Sequence, residues 1–515
     1  MPPLPGSWRV GRSPDALHGS GILLGGSPPR VIRLAGATAA AVDLLFGGST
    51  VDETSSACGF DAGPLARRLV EDGFGWADPP SADPSGMQPP AAAVTVVVPV
   101  RDGADELARL LGDAPRSPPL TVIVVDDGSV DTTSEVAAAL GAKVRRHPEA
   151  LGPAAARNTG WRAAGTPFVL FADADATLPD RWEPALAHFA DPTVGVVVPR
   201  VHPGASARAG GTVASRSRAA AYDAARFPYD LGPSGGDIGA GRRLDYATSV
   251  LLFARVEALA SIGGFAADLR FGEDLDLIRR LESAGWSIRY EPRCSGAHQT
   301  RDSLLPLLLL HHRYGRPLAE LSRRSGPGAG LGSTTTTALA AMSLALCGAP
   351  AAATAAACVG ATVGALSLRR RGLPRMMAAR LGIRTEVRAI RTATAAATGA
   401  WLPVVVPVTL ALLLGRRSRR AAVGCGLLAG ATCLRHLADW RVSRPGLRPG
   451  TWVGLRTLDD LAGATGTWLG CLAAGAFGPV LPRIFSVGSG PTMPDATRSG
   501  IEGWTELAVL GWSAP

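Results

Sequence analysis

Phe168-Val169-Leu170-Phe171-Ala172-Asp173-Ala174-Asp175 sets an apolar run directly before a pair of aspartates one residue apart. A short apolar stretch closed by polar residues reads as a buried strand whose end reaches a surface. Residues i and i+2 of a strand point to the same side, so the spacing predicts both carboxylates leaving the strand towards one spot where a divalent cation would sit. A hard, oxygen-ligated cation there needs an anion to neutralise, and phosphate is the usual one.

Upstream stand further runs of the same kind: Val94-Thr95-Val96-Val97-Val98-Pro99-Val100-Arg101-Asp102 and Thr121-Val122-Ile123-Val124-Val125-Asp126-Asp127-Gly128-Ser129. Each is β-branched, bounded by turn residues and followed by a helical pattern, which predicts parallel strands of an α/β sheet. Ligands of such sheets sit beyond the carboxyl ends of the strands. Pro99, Asp102, Asp126, Asp127, Asp173 and Asp175 all lie at such ends. Gly152-Pro153-Ala154-Ala155-Ala156-Arg157-Asn158-Thr159-Gly160 adds a basic residue in a small-residue helix start. Backbone N–H groups and the Arg157 guanidinium can both face an anion there. The set describes a nucleotide-diphosphate pocket.

Val-Pro-Val-Arg-Asp, Val-Val-Asp-Asp-Gly-Ser-x-Asp, Ala-Arg-Asn-x-Gly and Phe-Ala-Asp-Ala-Asp are followed, about a hundred residues on, by Phe271-Gly272-Glu273-Asp274-Leu275-Asp276. In this order they resemble the signatures of family 2 glycosyltransferases with the GT-A fold, over roughly residues 92 to 300. The resemblance implies an α/β GT-A mixed sheet with flanking helices, and inverting transfer from a nucleotide-sugar donor with Mg²⁺ or Mn²⁺ on the diphosphate. It gives Asp126 and Asp127 the uracil and ribose of a uridine-diphosphate sugar, Pro99 and Asp102 the first nucleotide-contacting turn, and Arg157 the diphosphate. Asp175, with Asp173, would ligate the metal, and His298 would join that site. Asp274 would be the base that deprotonates the acceptor hydroxyl, with Glu273 beside it. Such a base is needed because a sugar hydroxyl is a poor nucleophile and in-line displacement needs a proton acceptor opposite the leaving diphosphate. Gly263-Gly264-Phe265 resembles the acceptor-side loop. Processive members carry Gln-x-x-Arg-Trp further on; His311-His312-Arg313-Tyr314 departs from it, which speaks against extrusion of a polymer.

At 515 residues the chain has room for several domains. Its formal charge of +9 is almost wholly arginine, Lys143 being the only lysine. No aromatic-basic interleaving suggests base stacking, so a nucleic-acid partner is not expected; the basicity reads as membrane-facing or incidental. Seven cysteines, an odd number without a Cys-x-x-Cys pair, read as reduced thiols. The N-terminus lacks a charged-then-apolar signal pattern, so the catalytic region is expected on the cytoplasmic face of the membrane.

Residues 1 to 90 read as a small winged-helix-like module and linker, closed by the proline-rich Pro79-Pro80-Ser81-Ala82-Asp83-Pro84. Strands at Gly21-Ile22-Leu23-Leu24 and Arg30-Val31-Ile32-Arg33-Leu34, with helices from Ala37 to Leu45 and Pro64 to Glu71, make it similar to peptide-recognition domains that capture a peptide as an added edge strand. Residues 91 to 320 form the glycosyltransferase domain, 321 to 485 an apolar, arginine-rich helical region, and 486 to 515 a tail. In the helical region no charged residue occurs from Ser325 to Leu368, Thr392 to Gly415, or Leu461 to Pro482. Each run exceeds the roughly 20 residues that span a bilayer. Arginines flank the middle run on both sides, so helices lying in the interface compete with true spans.

The whole-chain arrangement resembles the glycosyltransferases of mycofactocin systems, which decorate a peptide-derived redox cofactor with β-linked glucose. That resemblance implies UDP-glucose as donor and mycofactocin or its precursor as acceptor. A lipid-linked or cell-surface polysaccharide acceptor is the alternative that the apolar C-terminal region suits. A sugar nucleotidyltransferase would need a glycine-rich basic loop after its first strand, which Val100-Arg101-Asp102-Gly103-Ala104 lacks.

Overall fold

The computed structural model describes residues 2–19, 21–27, 29–80, 90–112, 120–204, 217–269, 271–325, 331–370, 373–416, 419–485, 501–502 and 504–509. Most of the proline-rich linker and nearly all of the tail beyond 485 lie outside them. The chain forms two compact units, one of Met1–Leu17, Ala35–Ser215 and Phe227–Thr300, the other of His18–Leu34, Arg216–Arg226 and Arg301–Pro515.

The first unit is built on the strands read from the sequence. Val94–Val100 lies between Thr121–Asp126 and Phe168–Ala172, parallel to both, and Lys143–Arg146 extends the sheet beyond Thr121–Asp126. On the other side Leu251–Arg255 pairs antiparallel with Phe168–Ala172, followed by Val194–Gly204, Ser287–Gln299 and the short Ala176–Thr177. This mixed sheet with helices on both faces is the GT-A arrangement that the motifs imply. Side chains alternate across it: Val96, Val98, Leu170 and Ala172 pack with Leu107, Leu110 and Trp182 on one face, Val97, Val169 and Phe171 with Trp161, Leu277 and Leu281 on the other. Burial on both faces explains why the strands are continuous apolar runs with no polar alternation. Each fully buried Val, Leu or Phe contributes about 1.5–3 kcal/mol.

Helix Pro153–Arg162 crosses this sheet at a glycine. A Cβ built on Gly160 would come within 2.1 Å of Val97 Cγ1 and 3.3 Å of Val125 Cγ2. Valine is stiff about χ1, so the glycine of Ala-Arg-Asn-Thr-Gly is the residue that lets the helix seat. Gly160→Ala should destabilise the unit by about 1–3 kcal/mol through overpacking, seen as a lower Tm. An unchanged Tm would mean that the helix shifts freely on the sheet.

Residues of the N-terminal segment enter both units. In the first, Arg9–Arg12 pairs antiparallel with Gly75–Asp78, beside helices Gly36–Phe46, Val51–Cys58 and Gly63–Glu71. Arg67 on the last of these is buried and meets Asp191 at 2.7 Å. In the second, Ile22–Gly25 and Arg30–Leu34 form an antiparallel hairpin whose edge takes Trp504–Val509.

The second unit is otherwise helical, and its apolar runs are broken. The run from Ser325 to Leu368 contains strand Ser333–Thr335, helix Thr336–Leu346 and most of helix Pro350–Arg370, with the helices separated at Gly348, whose φ is +75°. The run from Thr392 to Gly415 turns by 76° between helix Arg375–Ala397 and Leu402–Val408. The third run is the C-terminal half of Pro449–Ala474 and a following 3₁₀ turn. Among the described residues one helix, Pro350–Arg370, is long and apolar enough to cross a bilayer, or two if the bent pair counts as a broken span. His311, in the segment that departs from Gln-x-x-Arg-Trp, pairs with Asp459, which also accepts from the Tyr222 hydroxyl at 2.6 Å.

Candidate active site

The carboxyl ends of the parallel strands are stitched to each other. Asp102 holds a positive φ of 50°, a conformation that aspartate tolerates better than most side chains. Its backbone N–H donates to Ser129 Oγ at 2.9 Å, and its Oδ1 accepts from the Val130 N–H at 2.8 Å. Pro99 sits half-buried on the strand just before this turn. Asp126, fully buried, accepts from the Ser129 N–H at 2.8 Å and from the Ser134 hydroxyl, with Arg146 3.3 Å away. Burial alone would raise its pKa, but these hydrogen bonds and the arginine hold it below the usual carboxylate value.

Asp127 faces the next loop, accepting from the N–H groups of Leu151 at 2.9 Å and Gly152 at 2.7 Å. His147 Nδ1 lies 2.7 Å from Asp127 Oδ1, and its Nε2 lies 2.9 Å from Thr159 Oγ1. The carboxylate assigns the ring proton to Nδ1, so Nε2 accepts from the threonine hydroxyl. This buried histidine ties the Asp-Asp-Gly-Ser loop to helix Pro153–Arg162, a role that a lone His in Arg145-Arg146-His147-Pro148 does not announce.

Asp173 and Asp175 come together, though not by strand alternation. The strand ends at Ala172, and a turn closed by the Ala176 N–H on the Asp173 carbonyl brings the pair to one place. Ala176–Thr177 then pairs with Ser287–Gln299, setting Ala176 opposite His298. His298 Nε2 lies 3.2 Å from Asp175 Oδ1, and one ligand atom from each of Asp173, Asp175 and His298 falls within 4.8 Å of the others. His298 Nδ1 donates to the Gln299 carbonyl at 3.0 Å, which leaves the Nε2 lone pair towards the carboxylates. Tyr229 packs against the buried ring at 5.2 Å. A second-nitrogen bond to a carbonyl is the arrangement that orients a metal-ligating histidine, so the donor set fits a divalent cation.

Glu273 and Asp274 open helix Glu273–Ser283 behind Gly272, whose φ is +79°. Asp274 accepts from the Leu275 N–H at 2.8 Å and the Tyr246 hydroxyl at 3.2 Å. Burial, and then the adjacent Glu273 charge, push its carboxyl up to about 7. Arg157 is buried and bridges the site, 2.8 Å from Asp173 and 2.9 Å from Glu273, with its guanidinium over the Phe265 ring. Its Nη1 donates to Glu273 and its Nη2 to Asp173, while the buried Nε makes no hydrogen bond among the described residues. Next to it, Asn158 donates to the Phe265 carbonyl at 2.8 Å and accepts from the Phe265 N–H at 2.9 Å, fixing the Gly263-Gly264-Phe265 loop. A Cβ on Gly264 would lie 2.3 Å from Asn158 Oδ1. Asp276, the last acid of Glu-Asp-Leu-Asp, pairs with Arg280 at 2.7 Å on its own helix.

One wall thus holds carboxylates and an imidazole suited to a cation, and another a carboxyl poised to take up a proton near neutrality. The chain is similar to several known proteins. The Glycosyl transferase family 2 model matches residues 95–241. A mannosyltransferase from Pyrobaculum calidifontis, solved in complex with GDP-Man and Mn²⁺, superposes with a TM-score of 0.41 at 20% identity, over 73% of this chain and 87% of that one. A succinoglycan biosynthesis protein, ExoA of Rhizobium meliloti, is 30% identical across 45% of this chain and 72% of its own. The pre-mycofactocin glycosyltransferase of Mycobacterium tuberculosis is 33% identical over 509 residues, covering 92% of this chain and 97% of the relative. Similarity on that scale shows that the chain belongs to the family 2 glycosyltransferases, in company with the pre-mycofactocin enzyme.

Proposed function

We propose that this glycosyltransferase moves glucose from UDP-glucose onto mycofactocin or its precursor, with inversion at the anomeric carbon, building a β-linked oligosaccharide. The observation that carries the catalytic part is Asp274, a carboxyl pushed up to about 7 by burial and by Glu273, three residues past the exposed Phe271 and at a helix start. The acceptor rests on likeness to the pre-mycofactocin enzyme over nearly the whole of both chains.

In this reading Asp274 accepts the proton of the attacking hydroxyl while Tyr246 and the Leu275 N–H hold its carboxylate in place. Arg157 couples Asp173 to Glu273 and keeps the two walls in register. Asp102, Asp126 and Asp127 shape the loops that receive uracil and ribose. Asp175, Asp173 and His298 would hold the cation, which when bound neutralises the diphosphate and stabilises it as leaving group. Because imidazole suits Mn²⁺ better than Mg²⁺, Mn²⁺ is the ion proposed. The N-terminal residues 1 to 90 are the proposed peptide-capture segment, and the cytoplasmic face of the membrane the proposed location.

The base must be ionised to work, so the sign of the pH dependence follows. Below about 7 the carboxyl is protonated, and kcat/KM should fall about tenfold per pH unit. Above it the rate should level off. The apparent value belongs to the Glu273–Asp274 pair and not to one carboxyl. A profile flat down to pH 5 would remove Asp274 as the base.

Mass spectrometry of the full chain incubated with UDP-glucose, Mn²⁺ and the peptide-derived acceptor tests the whole reading. Hexose added to that acceptor supports it. Hexose added only to a lipid-linked glycan would move the acceptor to the envelope, the second reading favoured by the exposed apolar helices of the second unit and by the partial likeness to a succinoglycan protein.

A further inference from the structure

We infer that helices Pro350–Arg370 and Arg375–Ala397 form a docking surface for an anionic lipid bilayer, lying in its interface instead of crossing it. This deepens the proposed membrane location by naming the helices, their orientation and the lipid charge.

The surface has an apolar part and a basic part. On Pro350–Arg370, Val359, Val363 and Leu366 are exposed along one stripe. The polar side chains nearby are self-satisfied: the Thr354 and Thr362 hydroxyls donate back to the carbonyls of Pro350 and Cys358 at 3.1 and 2.8 Å. On Arg375–Ala397, Met376, Ile383 and Val387 are 71%, 55% and 45% exposed. At 100° per residue they fall within about 40° of arc. Arg380, Arg384 and Arg391, also exposed, occupy the next roughly 40°. An apolar edge beside an arginine edge is the pattern of a helix lying at the headgroup level.

Charge complementarity selects the lipid. From Arg369 to Arg391 the sequence holds eight arginines against one acid, Glu386. Glu386 is buried and accepts from the Thr335 and Thr337 hydroxyls at 3.0 and 2.8 Å, so it does not offset the exposed arginines. Among the described residues Arg380, Arg384 and Arg391 make no ion pair. A row of unneutralised guanidinium groups beside apolar side chains matches phosphate-bearing, negatively charged headgroups.

Depth decides between lying and crossing. Gly382 lies against the middle of Pro350–Arg370, where a Cβ would come within 2.6 Å of the Ala361 carbonyl and 2.7 Å of the Ala365 N. Arg380 and Arg384 flank Gly382, so a hairpin that crossed the bilayer would carry both exposed arginines at hydrocarbon depth. Each would disfavour insertion by about a hundredfold. Lying in the interface puts the same residues among the phosphates.

The test is flotation of the full-length protein with vesicles of phosphatidylcholine alone and of phosphatidylcholine mixed with phosphatidylglycerol. Co-flotation with the phosphatidylglycerol vesicles, release by high salt, and release by alkaline carbonate are expected. Replacing Arg380, Arg384 and Arg391 together by serine should weaken binding roughly 100-fold, at about fivefold for each charge. The same positions replaced by lysine should keep most of it, which separates loss of charge from loss of fold. Equal binding to both vesicles, unweakened binding of the serine variant, or resistance to carbonate would each overturn the proposal. Sugar transfer is not read, so failure here leaves the enzymatic reading intact, and failure of the enzymatic reading leaves this one standing.

Discussion

Asp274→Asn is expected to lower kcat by about 10²–10⁴, the range for loss of a positioned general base, while UDP binding in Mn²⁺ stays near that of the parent. The amide is isosteric and can still accept from the Leu275 N–H and meet the Tyr246 hydroxyl. What disappears is the ability to take up a proton. Stability should move the other way. A carboxyl whose folded pKa is raised costs stability at pH values above its ordinary range, and that cost is complete above about 7. At pH 8 the asparagine variant should therefore melt higher than the parent, by an amount on the order of 1 kcal/mol, or about 1 °C in a chain of this size. At pH 4 the two should nearly coincide. Isothermal titration with UDP, initial rates and thermal melts at the two pH values separate the roles: a variant that is inactive because it no longer binds UDP would make Asp274 a donor-site residue. One that keeps its rate would leave the base unassigned.

The parallel strands and their terminal acids were legible because the information is local. A β-branched run buried on both faces has to be apolar throughout, and the residues that follow it have to turn, so Val94–Val100, Thr121–Asp126 and Phe168–Ala172 announce both themselves and their ends. What the acids do at those ends depends on partners far away in sequence. Asp173 and Asp175 converge through a turn and a pairing with the strand that carries His298, more than a hundred residues later. Arg157 reads as an anion contact in a helix start, and nothing near it in sequence announces that its guanidinium also bridges Asp173 and Glu273. His147 gave no signal at all, since a lone histidine is informative only when its carboxylate and hydroxyl neighbours are known. The same limit applies to Ile22–Gly25 and Arg30–Leu34, which read as strands but take Trp504–Val509 on their edge from the far end of the chain. Charge-free length does not mark where the C-terminal helices begin and end, because glycine, proline and sharp turns interrupt runs that contain no charge.

Asp175→Ala should abolish the metal dependence of donor binding and reduce transfer by about 10²–10³, the scale of an interaction that stabilises developing charge on the leaving group. The Asp175 side chain is 39% exposed, whereas that of Asp173, paired with Arg157, is 27% exposed and that of His298 5%. Asp175 is thus the more exposed carboxylate of the pair, and its loss leaves His298 and an Asp173 paired with Arg157. UDP binding in the presence of chelator should be unaffected by the substitution, and binding in Mn²⁺ should fall to that level. An equal loss with and without metal would remove Asp175 from the cation site. His298→Asp extends the same logic to ion choice, replacing the imidazole nitrogen with an oxygen on the strand that faces Ala176. Mg²⁺ takes oxygen ligands in preference to nitrogen, so the ratio of rates in Mg²⁺ to rates in Mn²⁺ should rise in this variant even as the absolute rate falls. A ratio that stays constant would show that His298 holds Asp175 in place without touching the ion, and the proposed preference for Mn²⁺ would lose its basis in the protein's ligands.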